Sequence, residues 1–262
     1  DRDLPVGEHP FQLYSLGTPN GQKATIMFEE LLAAGYSADR VHHLPNGVSL
    51  GTERSRATRD AAREVLVEVN PGLQVNDGGK LVVYTGRLDR NKGLLDLVDA
   101  WAEYTSKHPA SRLWLIGDGP DRDVIFDRIE QRNLRGSIVL PGSFDDVEVI
   151  LQAADLFVLP SYAEGLSLSV LEAMAQHLPV VASDIPGNRQ LIDNHVHGRL
   201  VPTAEPSALA MTIEMALAEE GASAEMAVAA YQRVRQSYSL ETMANDHLEL
   251  FSQALSESSP GA

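Results

Sequence analysis

Between residues 80 and 202 the chain carries six short runs of nearly unbroken aliphatic character. They are LVVYTG (81–86), RLWLIG (112–117), SIVLPG (137–142), DLFVLP (155–160), PVVAS (179–183) and GRLVP (198–202). Apolar runs of this length without polar alternation predict strands buried on both faces. Between them, at 93–106, 121–133, 145–153, 168–176, 187–193 and 205–220, the pattern predicts helices. Two more helices are predicted at 222–237 and 240–256, and one earlier, at 53–67. Strand and helix alternating at this spacing predict an α/β fold: a doubly wound, mostly parallel Rossmann-like sheet with extra C-terminal helices.

The predicted organisation is a strand–helix fragment over 1–37, a strand and connecting segment over 38–80, the Rossmann-like domain over 81–257 and a tail over 258–262. His42-His43 is expected in the strand of the second segment. A net charge of -16 over 262 residues argues against a nonspecific nucleic-acid binder, which needs clustered Lys and Arg, but leaves room for one phosphate group in a local basic pocket. The absence of cysteine excludes a disulfide scaffold, a thiolate metal site and a cysteine nucleophile. No apolar run approaches the roughly 20 residues of a membrane-spanning helix. The opening DRDLPVGEHP is charged and broken by proline, unlike a secretory signal. The expectation is a cytoplasmic protein with no transmembrane segment.

In a doubly wound sheet, ligands bind beyond the carboxyl ends of the strands. Those ends read YTGRLDRNKG, IGDGP, LPGSFDD, LPSYAEGLS and ASDIPGN, rich in glycine and small polar residues that permit close backbone approach. Gly117-Asp118-Gly119 starts like a dinucleotide fingerprint, but Arg122 stands where the third glycine belongs, and no Walker-type lysine follows. Gly86-Arg87 and Lys92-Gly93 put two cations around a turn, a seat for a diphosphate; the plainer reading is two exposed cations near Asp89, Asp96 and Asp99. SYAEGLSLSVLEAM (161–174) places Glu164 in the loop after a strand and Glu172 in the next helix. Ser169-x-x-Glu172 fits a capping box, which would make Glu172 structural. Alternatively, the backbone N–H groups of Gly165, Leu166 and Ser167 face a phosphate and the two carboxylates grip hydroxyls on either side of it. His195-x-His197 has ligand-like spacing, but a turn before Gly198 is the preferred reading, and no metal site is expected.

From about residue 38 to 256 the motifs VHHLPNGV, YTGRLDRNKG, LIGDGP, VLPGSF, AADLFVLPSYAEGLSLSVLEAMAQHLPVVASDIPGN and HGRLVP occur in a familiar order. They resemble the C-terminal, donor-binding half of retaining GT-B glycosyltransferases of family 4. The resemblance implies a hexosyltransferase-type enzyme that moves a sugar from a nucleotide-diphosphate sugar to an acceptor, with no cofactor and no metal. It assigns Arg87 and Lys92 to the diphosphate, Glu164 to the donor sugar beside the reacting carbon, and Glu172 to the ribose. Gly86, Gly165, Leu166 and Ser167 would contribute backbone contacts, and Gly119 and Leu140 would lie near the base. The chain departs from the family pattern at Gly187-Asn188-Arg189-Gln190, where a glutamate is usual at the last position.

In such enzymes the acceptor is bound by an N-terminal domain across a cleft, and the residues before about 38 are too few for one. The expected partners are therefore a nucleotide sugar, an unidentified acceptor, and another chain or domain completing the cleft. A lipid acceptor would bring the protein to a membrane surface. Residues 4–35 separately resemble the first strand and helix of glutathione-transferase-like proteins, with Thr18, Pro19 and Asn20 in the loop that faces glutathione there. Two alternatives stand beside the transferase reading: a noncatalytic nucleotide or nucleotide-sugar binding module, and a glutathione-linked oxidoreductase fragment.

Overall fold

The structure, a computed structural model, describes residue 42 and residues 44–258, with side chains to 253. The resemblance at 4–35 and its residues Thr18, Pro19 and Asn20 lie outside the described residues. Six parallel strands form one sheet: β1 (Leu81–Thr85), β2 (Arg112–Ile116), β3 (Ile138–Gly142), β4 (Leu156–Leu159), β5 (Val180–Ser183) and β6 (Arg199–Val201). Their spatial order is β3-β2-β1-β4-β5-β6. The chain thus winds one way from β1 to β3 and then returns to β1's other side at β4, which makes the β1/β4 border the switch point. Every residue of β1, β4 and β5 is buried, as a sheet covered on both faces requires.

The helices are α1 (Arg56–Val69), α2 (Leu94–Lys107), α3 (Arg122–Gln131), α4 (Val147–Ala153), α5 (Leu168–Ala175), α6 (Pro186–Arg189), α7 (Pro206–Ala218), α8 (Glu220–Ser237) and α9 (Leu240–Ser258). On α2, Leu94, Leu97, Val98, Trp101 and Tyr104 recur at helical spacing and are buried, packing against α7. Ala62 and Leu66 of α1 face α4 in the same way. At the opposite end of the sheet from the predicted ligand loops, Asp155 anchors α1. Its carboxylate accepts from Arg59 Nη1 (2.7 Å), Arg63 Nη2 (2.7 Å) and the Leu81 amide (2.7 Å), while its side chain is only 7 % exposed. Burial pulls the neighbouring Arg54 guanidinium down to about 10.

Three expectations need correction. The segment 38–80 contains no strand among its described residues: His42 is outside regular structure, and only Val48 forms an isolated parallel bridge, to Ser239. Val48 donates to the Tyr238 carbonyl (2.8 Å) and accepts from the Leu240 amide (3.1 Å), so it ties this segment to the joint between α8 and α9. The helix expected over 187–193 is the single turn α6, because the chain then folds back through a tight turn into β6. The capping box is also displaced. Ser167, not Ser169, caps α5 by accepting from the Val170 amide (3.4 Å), since Ser167 is the last extended residue before the helix. Glu172 then sits too deep in the helix to reach a cap amide.

Candidate functional site

The site lies along the carboxyl ends of the strands, at the β1/β4 switch point. After β1 the chain passes Gly86, Arg87 and Leu88 and enters a 3-10 turn, Arg90–Lys92, started by Asp89, whose side chain accepts from the Asn91 amide (2.9 Å). Gly93 (φ 63°) closes the turn and opens α2; a side chain there would run into the Pro160 carbonyl of the loop after β4. Tyr84, buried in β1, donates to the Arg87 carbonyl (2.7 Å) and fixes the start of the turn. Burial drives its phenol far above the ordinary tyrosine range, and the charges of Glu164 and Asp89 add to the effect.

The two sequence-predicted cations behave differently. Lys92 Nζ lies 2.6 Å from Glu164 Oε1, with the carboxylate side chain 5 % exposed and the lysine side chain 22 % exposed. The Arg87 side chain is 70 % exposed, with Asp89 3.7 Å away. Of the three acids noted beside these cations, Asp99 is engaged elsewhere, by Arg128 and Arg132, and Asp96 accepts from the Tyr162 hydroxyl. Arg87 is therefore an exposed arm held only loosely by Asp89, and Lys92 a charge already seated against Glu164.

The loop after β4 lays down the rest. Gly165 and Leu166 are half-buried and Ser167 is buried. Their three amide N–H groups donate to no acceptor among the described residues. They precede the first turn of α5, where the helix dipole favours an anion. Glu172 is half-buried further along α5, and its carboxylate has no hydrogen-bond or ion-pair partner among the described residues. Burial alone pushes its carboxyl above the ordinary range. A desolvated carboxylate without a partner is an acceptor waiting for donors.

The loops after β2 and β3 complete the row. Gly117 donates to the Gly142 carbonyl (2.9 Å) and is packed so closely on the Gly86 carbonyl that a side chain would not fit. Gly119 lies against the backbone of Leu88, which in turn donates to the Asp118 carbonyl (3.0 Å). Leu140 is half-buried, and its carbonyl accepts from Arg122 Nη2 (3.0 Å). These glycines therefore allow neighbouring loops to pack on one another. Arg122, read from sequence only as a break in a fingerprint, is a support for the loop after β3.

Gly187 in α6 abuts the Glu164 and Gly165 carbonyls, and the fully buried Asn188 holds α6 by donating to the Ser183 carbonyl (2.9 Å). Sequence reasoning missed Asn188; its position directly after Gly187, in the ASDIPGN stretch that leaves β5, is the one signal that marked it. Gln190, the residue that ends α6, is exposed. The histidine pair forms the expected turn: His195 donates from its amide to the Gly198 carbonyl (2.8 Å), and His197 Nδ1 accepts from the Asp193 amide (3.2 Å). Burial and the charge of Arg233 hold His197 below the usual histidine range, with Asp193 opposing. Among the described residues no group of three or more metal-ligating side chains comes together.

An open parallel sheet in this strand order, with helices on both faces, defines a Rossmann-like domain. The family model described as "Glycosyl transferases group 1" matches residues 68–233, and the chain belongs to that family. An alpha-D-kanosaminyltransferase of Streptomyces kanamyceticus is 30% identical over 213 residues, 80% of this chain and 53% of that protein. A glycosyltransferase of Methanocaldococcus jannaschii is 28% identical over 194 residues, 73% of this chain and 50% of that protein. The chain thus spans about half the length of these curated relatives.

Among solved structures, sucrose-phosphate synthase of Thermosynechococcus elongatus superposes with a TM-score of 0.71 at 28% identity, covering 92% of this chain and 58% of that one. Anabaena HepE, solved in complex with UDP and glucose, superposes with a TM-score of 0.73 at 24% identity over 87% of this chain and 61% of that one, a likeness of fold. The sheet and its flanking helices are therefore those of a GT-B glycosyltransferase domain. No helix among the described residues is long and apolar enough to cross a membrane.

Proposed function

We propose that this chain is the donor-binding half of a retaining glycosyltransferase of family 4, acting on a nucleotide-diphosphate sugar. The observation that carries the reading is the Lys92–Glu164 pair at the switch point, flanked by the unengaged amides of Gly165–Ser167. In the proposed reaction the bond from the anomeric carbon to the diphosphate breaks while an acceptor hydroxyl bonds to that carbon. The hydroxyl's proton leaves with the departing diphosphate, and the configuration at the carbon is kept. The barrier comes largely from negative charge growing on the leaving group. Lys92, already in place, and Arg87, free to fold in, oppose that charge, and the three amides add dipoles to it.

Glu164 contacts the donor sugar and Glu172 accepts from the ribose hydroxyls, which gives its unpartnered carboxylate the donors it lacks. Gly86, Gly119 and Leu140 line the nucleoside side, at the ends of β1 to β3. Two cations and a set of fixed amides suit a transfer that needs no metal ion. The acceptor is assigned to a second domain of the kind that the longer relatives have room for.

Calorimetric titration with UDP, GDP and ADP in the presence of a chelator tests this. Saturable binding of one nucleotide, lost in the Arg87→Ala/Lys92→Ala double variant, is the expected result. Equal binding by wild type and double variant overturns the site. Binding without transfer, once an acceptor domain is supplied, favours a noncatalytic binding module.

A further inference from the structure

The loop from Pro160 to Ser167 presents Glu164 and the three amides of the proposed donor site, yet it has no regular structure of its own. Four contacts fasten it to the segment that follows β1. The Tyr162 amide donates to the Asn91 carbonyl (2.8 Å), Lys92 Nζ donates to Glu164 Oε1 (2.6 Å), and Gly93 packs against the Pro160 carbonyl. The fourth is the Tyr162 hydroxyl, which donates to Asp96 Oδ2 (2.7 Å). Tyr162 supplies two of the four. Asp96 stands in the first turn of α2, a helix anchored by the buried Leu94, Leu97, Val98 and Trp101, so it is a rigid point of attachment.

The Lys92–Glu164 pair cannot serve as the permanent fastening. An incoming diphosphate competes for the same ammonium, and each hydrogen bond Lys92 turns toward phosphate weakens its hold on Glu164. The Tyr162–Asp96 bond makes no such demand, because neither residue belongs to the proposed donor contacts. It joins a neutral donor to a charged acceptor, the stronger kind of hydrogen bond. Burial, and then Asp96 itself, push the phenol up to about 12, so the hydroxyl keeps its proton at any physiological pH.

We propose that Tyr162 and Asp96 form a clasp that holds Glu164 and the Gly165–Ser167 amides at their working distance from Lys92 while the donor diphosphate draws that lysine away. Tyr162 is thus a positioning residue for the donor site, a role that rests on the donor reading above. It lies two residues before Glu164 in the chain and is fastened to Asn91, the residue before Lys92. One residue therefore sets the spacing of both charged groups, its amide tied to Asn91 and its hydroxyl to Asp96.

Three variants test the clasp: Tyr162→Phe, Asp96→Ala and the double variant. Hydrogen exchange of the Tyr162 amide, which donates to the Asn91 carbonyl, should quicken by about 10-fold or more in each, with β1 and β4 unchanged, as loss of one charge-assisted bond predicts. In Asp96→Ala, near-ultraviolet phenolate absorbance should show Tyr162 ionising closer to the ordinary tyrosine range. Affinity for whichever of UDP, GDP or ADP the wild type binds should fall about 10-fold in each single variant and no further in the double, because both remove the same bond. Loop exchange equal to wild type, or losses of affinity that add in the double variant, would overturn the clasp. If the wild type binds none of the three nucleotides, the donor reading fails and the positioning role with it, while the exchange data still decide whether the clasp exists.

Discussion

Lys92 and Glu164 lie 72 residues apart in the chain and 2.6 Å apart in space, joining the turn after β1 to the loop after β4. Lys92 is therefore the counter-charge of a carboxylate that is nearly out of water, and in the proposed reaction it is a binding group as well. Lys92→Ala should lower stability by about 2 kcal/mol, because it leaves that carboxylate without its partner. It should also weaken nucleoside diphosphate binding by about 10- to 100-fold. Thermal melts and titration of the same preparation read both effects.

Arg87 should separate the two effects. Its side chain is mostly in solvent and its nearest acid is Asp89 at 3.7 Å. Arg87→Ala should change stability by less than about 0.5 kcal/mol, as surface substitutions do. Nucleotide affinity should nevertheless fall about 10-fold. A loss of stability as large as that of Lys92→Ala would show that the arginine is structural.

Glu172 should show the opposite sign. Burial raises its carboxyl pKa in the folded protein, so the fold favours its protonated form. The stabilisation that comes with the proton is fully present below the unfolded carboxylate pKa and is lost as pH rises through the raised folded value. Glu172→Gln should therefore raise the Tm at neutral pH, and the gain should vanish in acid. The same change should weaken nucleotide binding, since an amide accepts ribose hydroxyls less strongly than a carboxylate does. A variant both less stable at neutral pH and unchanged in binding contradicts the role.

Gly187 bears directly on the loop that carries Glu164. A methyl group there meets the Glu164 and Gly165 carbonyls, so Gly187→Ala should cost about 2 kcal/mol and displace the loop. The expected readout is a lower Tm together with weaker binding of a nucleotide sugar.

Asp155 is a control far from the site. Removing its carboxylate leaves Arg59 and Arg63 without their acceptor, and Asp155→Ala should destabilise the fold by about 3 kcal/mol. Denaturant melts check this, and nucleotide affinity measured well below the transition should be unchanged.

The strands were legible because each is a run of aliphatic residues flanked by glycine or proline, and burial on both faces leaves no other use for such a run. Helix ends were less so. Which of Ser167 and Ser169 caps α5 depends on where the chain stops being extended after β4, and that is set by packing of the loop on Gly93 and Gly187, residues distant in sequence. The Tyr162–Asp96 bond and the three arginines around Asp155 have no pattern in the sequence at all, since their partners meet only once β1 and β4 are neighbours.

By itself, the order of residues determined the parallel α/β architecture, the end of the sheet where the glycine-rich loops gather, and the residue types available there, because periodicity and glycine placement are local properties. The tertiary structure alone decided how those residues differ in role. It seated Lys92 against Glu164, left Arg87 in solvent, withheld a partner from Glu172, and turned the glycines to loop packing. Distance, burial and competition for partners are relations between segments that strand order brings together, and no single segment encodes them.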